Sequence, residues 1–230
     1  MRTLVLWDID HTLINAGGLS SEIYGTVFER LIGRPPEKIA AMAGRTDLAI
    51  TTETLRHNGI EPTHHLMASF TTALADAFTA RQHEFADRGH VLPGARAALK
   101  TLAARPDVIQ SALTGNMRQI AIAKLTAFAL IDFFDLDAGA YGTDGIERPP
   151  LVKLAQQRAA AKYNEDFTPS NTVLIGDTPH DVRAGHEGGA HVVAVATGAT
   201  PAPDLRLSGA EVVLPDLTDT PTVVQSILRA

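Results

Sequence analysis

The sequence reads as an α/β protein: a doubly wound parallel sheet interrupted early by an inserted block of helices. Two observations carry that reading. Short apolar runs alternate with longer segments of helical periodicity, the pattern of a parallel sheet flanked by helices. The first and second runs, however, are separated by roughly a hundred residues, far more than one crossover helix requires. That interval is helical in pattern from about residue 19 to 87.

The apolar runs fall at residues 3–7, 108–113, 133–136, 172–175, 191–195 and 211–214, each about the length of a buried strand. Helical periodicity fills 95–104, 118–128, 150–163 and 180–187, and a segment at 223–228 closes the chain. Right-handed crossovers would lay these helices on both faces of the sheet. Inside the insertion the pattern predicts helices at 21–31, 47–57 and 63–85, with turns at Pro35-Pro36 and Gly59. Asn15-Ala16-Gly17-Gly18 leads in and Arg88-Gly89-His90 leads out, with the small residues expected of hinges. The expected division is a core of 1–16 and 88–230 and a helical domain of 17–87. Trp7, the single tryptophan, is expected to pack in the core.

Composition narrows the function. The 230 residues are 45% hydrophobic, enough for a sizeable buried core. Twenty Lys and Arg against 26 Asp and Glu leave a net charge of −6 with no basic run, which argues against nucleic acid as a partner. Cysteine is absent, so disulfides, thiolate metal sites and cysteine nucleophiles are excluded together. Leu4 to Trp7 is too short for a signal-peptide core, and no stretch of about 18 apolar residues could span a bilayer. The expected location is cytoplasmic, without membrane contact, as a monomer or homodimer.

Asp8-Ile9-Asp10-His11-Thr12 follows the first run directly. Two acids at i and i+2, at a strand's carboxyl end, lie where open α/β sheets place their ligands. Like charges packed closely need a cation, and a hard divalent ion bound through oxygen, Mg2+ first, suits them. An acidic turn is the other reading of the same residues. Leu113-Thr114-Gly115-Asn116 ends the second run and opens a helix. The Thr114 hydroxyl and the free N–H groups there form an anion site, although Asn116 reads equally as a helix cap. Gly176-Asp177-Thr178-Pro179-His180-Asp181 follows the fourth run. Asp177 would reach the crevice of Asp8 and Asp10, and Asp181 would bind through water or orient its neighbours. Helix capping by Asp177 or Thr178 competes with that reading. A phosphate beside so many carboxylates also needs fixed positive charge. Arg148 and Lys153 are the candidates, against the default of a solvated surface cation.

Taken together, the order carboxylate pair, hydroxyl, cation, carboxylate pair resembles the four motifs of the haloacid dehalogenase superfamily. The resemblance covers nearly the whole chain, and the insertion is similar to that family's small α-helical cap. The closest likeness is to phosphoglycolate-phosphatase-like members, whose caps direct a loop like Gly44-Arg45-Thr46-Asp47 at the active site. The same four residues also read as a turn ending in an Asp helix cap. Two departures stand out. Arg148-Pro149 occupies the place where the family usually has Lys-Pro, with Lys153 as the substitute, and His11 stands where the family often has Gly.

The resemblance implies a Rossmann-like core and a Mg2+-dependent phosphatase acting on a small organic phosphate monoester, such as phosphoglycolate. In it Asp8 is the nucleophile and Asp10 the acid and base. Asp8, Asp10 (through its carbonyl) and Asp177 hold the metal. Thr12, Thr114, Gly115, Asn116, Arg148 and Arg45 surround phosphate and substrate. A dehalogenase is disfavoured by Asp10 and Asp177, and a phosphonate hydrolase by the lone cap lysine, Lys38, beside a Pro-Pro turn. A sugar-phosphate mutase shares the motifs. Outside catalysis, Arg148 in place of lysine also suits a phosphate-binding regulatory module. The adjacent His64 and His65 face different ways on a helix, so zinc is not expected.

Overall fold

Alternate residues of the first strand, β1 (Thr3–Trp7), are buried against opposite layers of helices. The computed structural model describes residues 2–229. Its other strands are β2 (Ile14–Asn15), β3 (His90–Val91), β4 (Val108–Ala112), β5 (Thr172–Gly176), β6 (His191–Val195) and β7 (Val212–Leu214). Five of the seven form one sheet, every pairing parallel, in the order β4-β1-β5-β6-β7.

The helices are α1 (Leu19–Ile32), α2 (Asp47–His57), α3 (His64–Ala80), α4 (Glu84–Arg88), α5 (Ala95–Ala103), α6 (Arg118–Ala127), α7 (Pro149–Tyr163), α8 (Pro179–Gly188), α9 (Ala202–Leu207) and α10 (Thr220–Arg229). Val5 and Trp7 share an apolar cluster with α5, α6 and α10, and also with α1 and α3 of the insertion. Leu4 and Leu6 pack on the other face against α7 and Ala184 of α8. A strand buried on both sides needs an unbroken apolar run, which is what Leu4 to Trp7 provides.

The register sets the floor of the site. Trp7 pairs with Ala112 on one side and Ile175 on the other. The Leu113 amide donates to the Trp7 carbonyl, and the Asp8 amide to the Ile175 carbonyl, each at 2.9 Å. Strands β1, β4 and β5 therefore end level. The chain leaves β1 toward β4 on one side and β5 toward β6 on the other, so the β1–β5 boundary is the topological switch point where such sheets hold ligands.

Helices α1 to α4 all lie between β2 and β3, which pair antiparallel, Ile14 with Val91 and Asn15 with His90. The two connections of the insertion are thus bonded to each other. Their closeness explains Gly17: its φ is +60°, and a Cβ there would strike the Arg88 carbonyl.

Two sequence expectations are corrected, and one element is added. No strand forms at 133–136; a 3-10 turn (Ile131–Phe133) stands there instead, and the following chain reaches β4 only through single contacts, such as the Asp135 amide on the Gln110 carbonyl at 2.8 Å. The helix expected at 63–85 is two. It starts with Thr63 accepting from the Leu66 amide at 3.3 Å and breaks after Ala80, where Arg81 pairs with Glu84 of α4 and Glu22 of α1. Helix α9, only six residues long, was not foreseen.

Phe85 of α4 is fully buried and stacks on Phe78 of α3, ring centroids 5.9 Å apart. Phe85→Ala is expected to lower unfolding free energy by about 3–5 kcal/mol, measured by urea denaturation. A loss below about 1 kcal/mol would contradict this packing.

Candidate active site

Three buried carboxylates meet at the level strand ends. Asp8 follows β1, Asp177 follows β5, and Asp181 lies in the first turn of α8; one oxygen from each falls within 4.8 Å of the others. One buried cation answers them. Arg148, at the N-terminus of α7, pairs with the Asp181 carboxylate, lies 3.4 Å from Asp8 Oδ1, and donates to the Leu113 carbonyl at 3.2 Å. Its Nε is buried without a partner. Asp181 is also held by α8's own cap, its Oδ2 accepting from the Thr178 amide and hydroxyl at 3.0 and 2.5 Å.

The imbalance appears in the protonation of the pair that has less support. Burial pushes the Asp8 carboxyl up to about 7, with Arg148 opposing and Asp181 adding repulsion. Burial, then Asp181 and Asp8, push Asp177 up to about 8, although the Thr12 hydroxyl donates to it at 3.1 Å. An all-oxygen donor set with three carboxylates and one arginine fits a hard divalent cation, whose charge would offset the excess.

Asp10 is handled differently. Its carboxylate turns toward α6, where Lys124 Nζ donates to both oxygens at 2.8 and 2.6 Å and Asn116 Nδ2 to one at 2.8 Å. Lys124 spends its third proton on Asn116 Oδ1 at 2.8 Å, and its side chain is 2% exposed. Burial works against the Asp10 anion, but Lys124 outweighs it and holds the carboxyl below its usual range. Thr114 Oγ completes the corner, accepting from Asn116 Nδ2 at 2.8 Å.

The insertion closes over this floor. Gly44 (φ +68°) lies against Thr178 and His180, and the Arg45 carbonyl against Gly115, where a Cβ would collide with it. Thr46 caps α2 and donates to the Ile146 carbonyl at 2.7 Å. Asp47 is thus the first residue of α2, and its carboxylate crosses to the N-terminus of α6, accepting from the Met117 amide and the Tyr24 hydroxyl, both at 2.7 Å. Between floor and roof is a cavity of about 230 Å3, lined by Asp8, Asp10, Arg45, Lys124, Arg148 and Asp177 among others.

A family model described as haloacid dehalogenase-like hydrolase matches residues 5–186. The chain belongs to that family. Solved structures agree in fold: a hydrolase from Pseudomonas syringae is 20% identical, covering 98% of this chain and 99% of its own, with a TM-score of 0.73. A protein described as a predicted phosphoglycolate phosphatase from Haemophilus somnus is 17% identical over 97% and 98%, TM-score 0.69. CbbY from Rhodobacter sphaeroides, in complex with phosphate, is 18% identical over 95% and 96%, TM-score 0.69. The search of curated proteins finds no match.

Within this haloacid dehalogenase-like hydrolase, Asp8, Asp10, Thr114, Gly115, Asn116, Arg148, Arg45 and Asp177 all line the cavity. Thr12 is buried beneath it, bonded to Asp177. Lys153 is exposed on α7 and absent from the described lining, so Arg148 alone of the two candidates reaches the site. His11 has φ +59°, the left-handed region that glycine enters most easily, which accounts for the glycine expected there. Sequence reading missed Lys124. The available signal was a lysine three and four residues after Ala121 and Ile120, on the buried stripe of α6. Among the described residues no helix is long and apolar enough to cross a membrane.

The native protein without metal keeps protons on Asp8 and Asp177 that the unfolded chain, with carboxyls near 3.8, releases. Their favourable contribution is present below about pH 4 and is lost as pH rises through 7 to 8. The chelated protein should therefore lose melting temperature between pH 6 and 8.5 more steeply than Asp177→Asn does, by differential scanning fluorimetry. Parallel slopes would show that the pair is not protonated.

Proposed function

We propose that this hydrolase is a Mg2+-dependent phosphomonoesterase that works through an aspartyl-phosphate on Asp8. The observation that carries the reading is the meeting of Asp8, Asp177 and Asp181 with Arg148 beneath a small cavity at the switch point of the sheet. Mg2+, held by Asp8, the Asp10 carbonyl and Asp177, would neutralise charge between the attacking carboxylate and the phosphate.

Asp8 attacks phosphorus in line, the bond from phosphorus to the ester oxygen breaks, and the phosphoryl group passes to Asp8. Asp10 gives a proton to the departing oxygen and then takes one from the water that hydrolyses the acyl phosphate. Lys124 and Asn116 hold Asp10 as the anion that the second step uses. The first step starts from Asp10 carrying a proton taken up from solvent, against the pull of Lys124 toward the anion. Arg148, the Thr114 hydroxyl and the Gly115 and Asn116 amides receive the transferring oxygens, since phosphoryl transfer is chiefly positioning and electrostatics. Residues 17–87 act as a cap that closes on the core of 1–16 and 88–230 about the β2–β3 pair and excludes water. The phosphate held by the similar CbbY structure supports the choice of anion.

Phosphate release from an aryl phosphate should require Mg2+, stop on chelation, and fall by more than about 10³-fold in Asp8→Asn with the melting curve retained. Binding of phosphate esters without turnover would favour the regulatory module, and a phosphorylated sugar isomer in place of free phosphate the mutase. Lys124→Met should lower kcat by about 10²-fold with KM little changed, because it frees Asp10 rather than the substrate. Unchanged kcat would remove Lys124 from the account.

A further inference from the structure

The turn from Thr114 to Met117 does not hold itself. It opens α6, and Met117, the N-cap residue of that helix, offers it no side-chain hydrogen bond. The first amides of a helix need partners from elsewhere. One residue of the insertion supplies them. The Asp47 amide donates to the Gly115 carbonyl at 2.8 Å, and the Asp47 carboxylate accepts from the Met117 amide at 2.7 Å. Asp47 thus holds one group on each of two successive peptide planes, 115–116 and 116–117. The core adds the Gly142 amide, which donates to the Asn116 carbonyl at 2.8 Å. The seam leaves room for backbone only. A Cβ on Gly115 would strike the Arg45 carbonyl, and one on Gly142 would strike the Gly115 carbonyl and crowd the Asp47 amide.

What Asp47 holds leads directly to Asp10. Asn116 of the turn donates to the Asp10 carboxylate, and Lys124, about two turns into α6, donates to both of its oxygens. The Tyr24 hydroxyl, also from the insertion, donates to Asp47 Oδ1 at 2.7 Å, so the carboxylate meets α6 already oriented. These bonds to the turn exist only while the insertion lies on the core. The final geometry of the turn is then conditional on closure, the arrangement by which a closing element assembles a site. Thr46 offers a natural comparison. Its hydroxyl crosses the same seam to the Ile146 carbonyl at 2.7 Å but does not touch the turn.

We propose that Asp47 is a positioning residue, through which the closed insertion sets the Gly115–Met117 turn and the α6 groups that hold Asp10. This rests on the phosphatase reading above, which gives the turn its role. Asp47→Ala and Asp47→Asn test it on the full chain, with Thr46→Val for comparison. Amide hydrogen exchange without substrate should quicken at residues 115–118 by roughly 10- to 100-fold in Asp47→Ala, the worth of a charge-assisted hydrogen bond. The asparagine, which keeps an acceptor, should quicken it less, and Thr46→Val should leave it unchanged. With p-nitrophenyl phosphate and Mg2+, kcat should fall by roughly 10- to 100-fold in Asp47→Ala, by less in Asp47→Asn and by under about threefold in Thr46→Val. Inhibition by inorganic phosphate should weaken in the same order. Retained protection of β1 shows that a variant is folded, and Asp47→Asn carries the comparison if the alanine variant is not. Exchange that quickens only in α1 and α2, or equal losses of kcat in Asp47→Ala and Thr46→Val, would make Asp47 a tie within the insertion and overturn the proposal with the phosphatase reading intact. Faster exchange at 115–118 with kcat and phosphate inhibition unchanged overturns it equally. Wild-type protein that releases no phosphate overturns the phosphatase reading, and this proposal with it.

Discussion

Everything in the site follows from burying three carboxylates around a single guanidinium. Desolvation makes each anion expensive, so a buried cation has to stand among them. One nitrogen of Arg148, Nη2, meets the Leu113 carbonyl after β4, Asp8 after β1 and Asp181 on α8 together. Asp181 draws its remaining bonds from the helix cap of Thr178, so the shortage of positive charge falls on Asp8 and Asp177. The fold thereby concentrates its electrostatic deficit at the two carboxylates that follow β1 and β5.

The insertion is bound into the same arrangement rather than resting on it. Its helices share one apolar cluster with Val5 and Trp7 of the central strand. Lys124 of α6 clamps Asp10 on one side and lies 5.5 Å from the centroid of the Phe78 ring on the other. Asp47 of α2 caps α6, the helix that carries this lysine. A carboxylate at a helix N-terminus satisfies free amides and the helix dipole together, so floor and roof are coupled through one short helix.

Much of this was legible in the chain. Runs of apolar residues ending on acids marked β1 and β5 closely, because a strand buried on both faces has to be continuously apolar and its charges can appear only where it stops. The segment at 133–136, Phe-Phe-Asp-Leu, failed as a strand: Asp135 interrupts the apolar run, and its carboxylate is taken by Lys162 and Tyr163 of α7. The break at Arg81 was equally hidden: the glutamates that hold it come from 59 residues earlier and three later. Asp47 looked like a helix cap for its own helix and instead caps another.

From residue order alone came the sheet-and-helix architecture, the helical insertion, and the identity of the acids, because patterning and spacing are local properties of a chain. Which cation serves which acid came only from folding. Arg148 and Lys153 are five positions apart on one turn-and-a-half of helix, yet one points into a buried cluster and the other into water. Lys124 was one lysine among several until α6 packed against Asp10. Burial and pairing belong to the surface that surrounds a side chain, and that surface is assembled from segments distant in sequence.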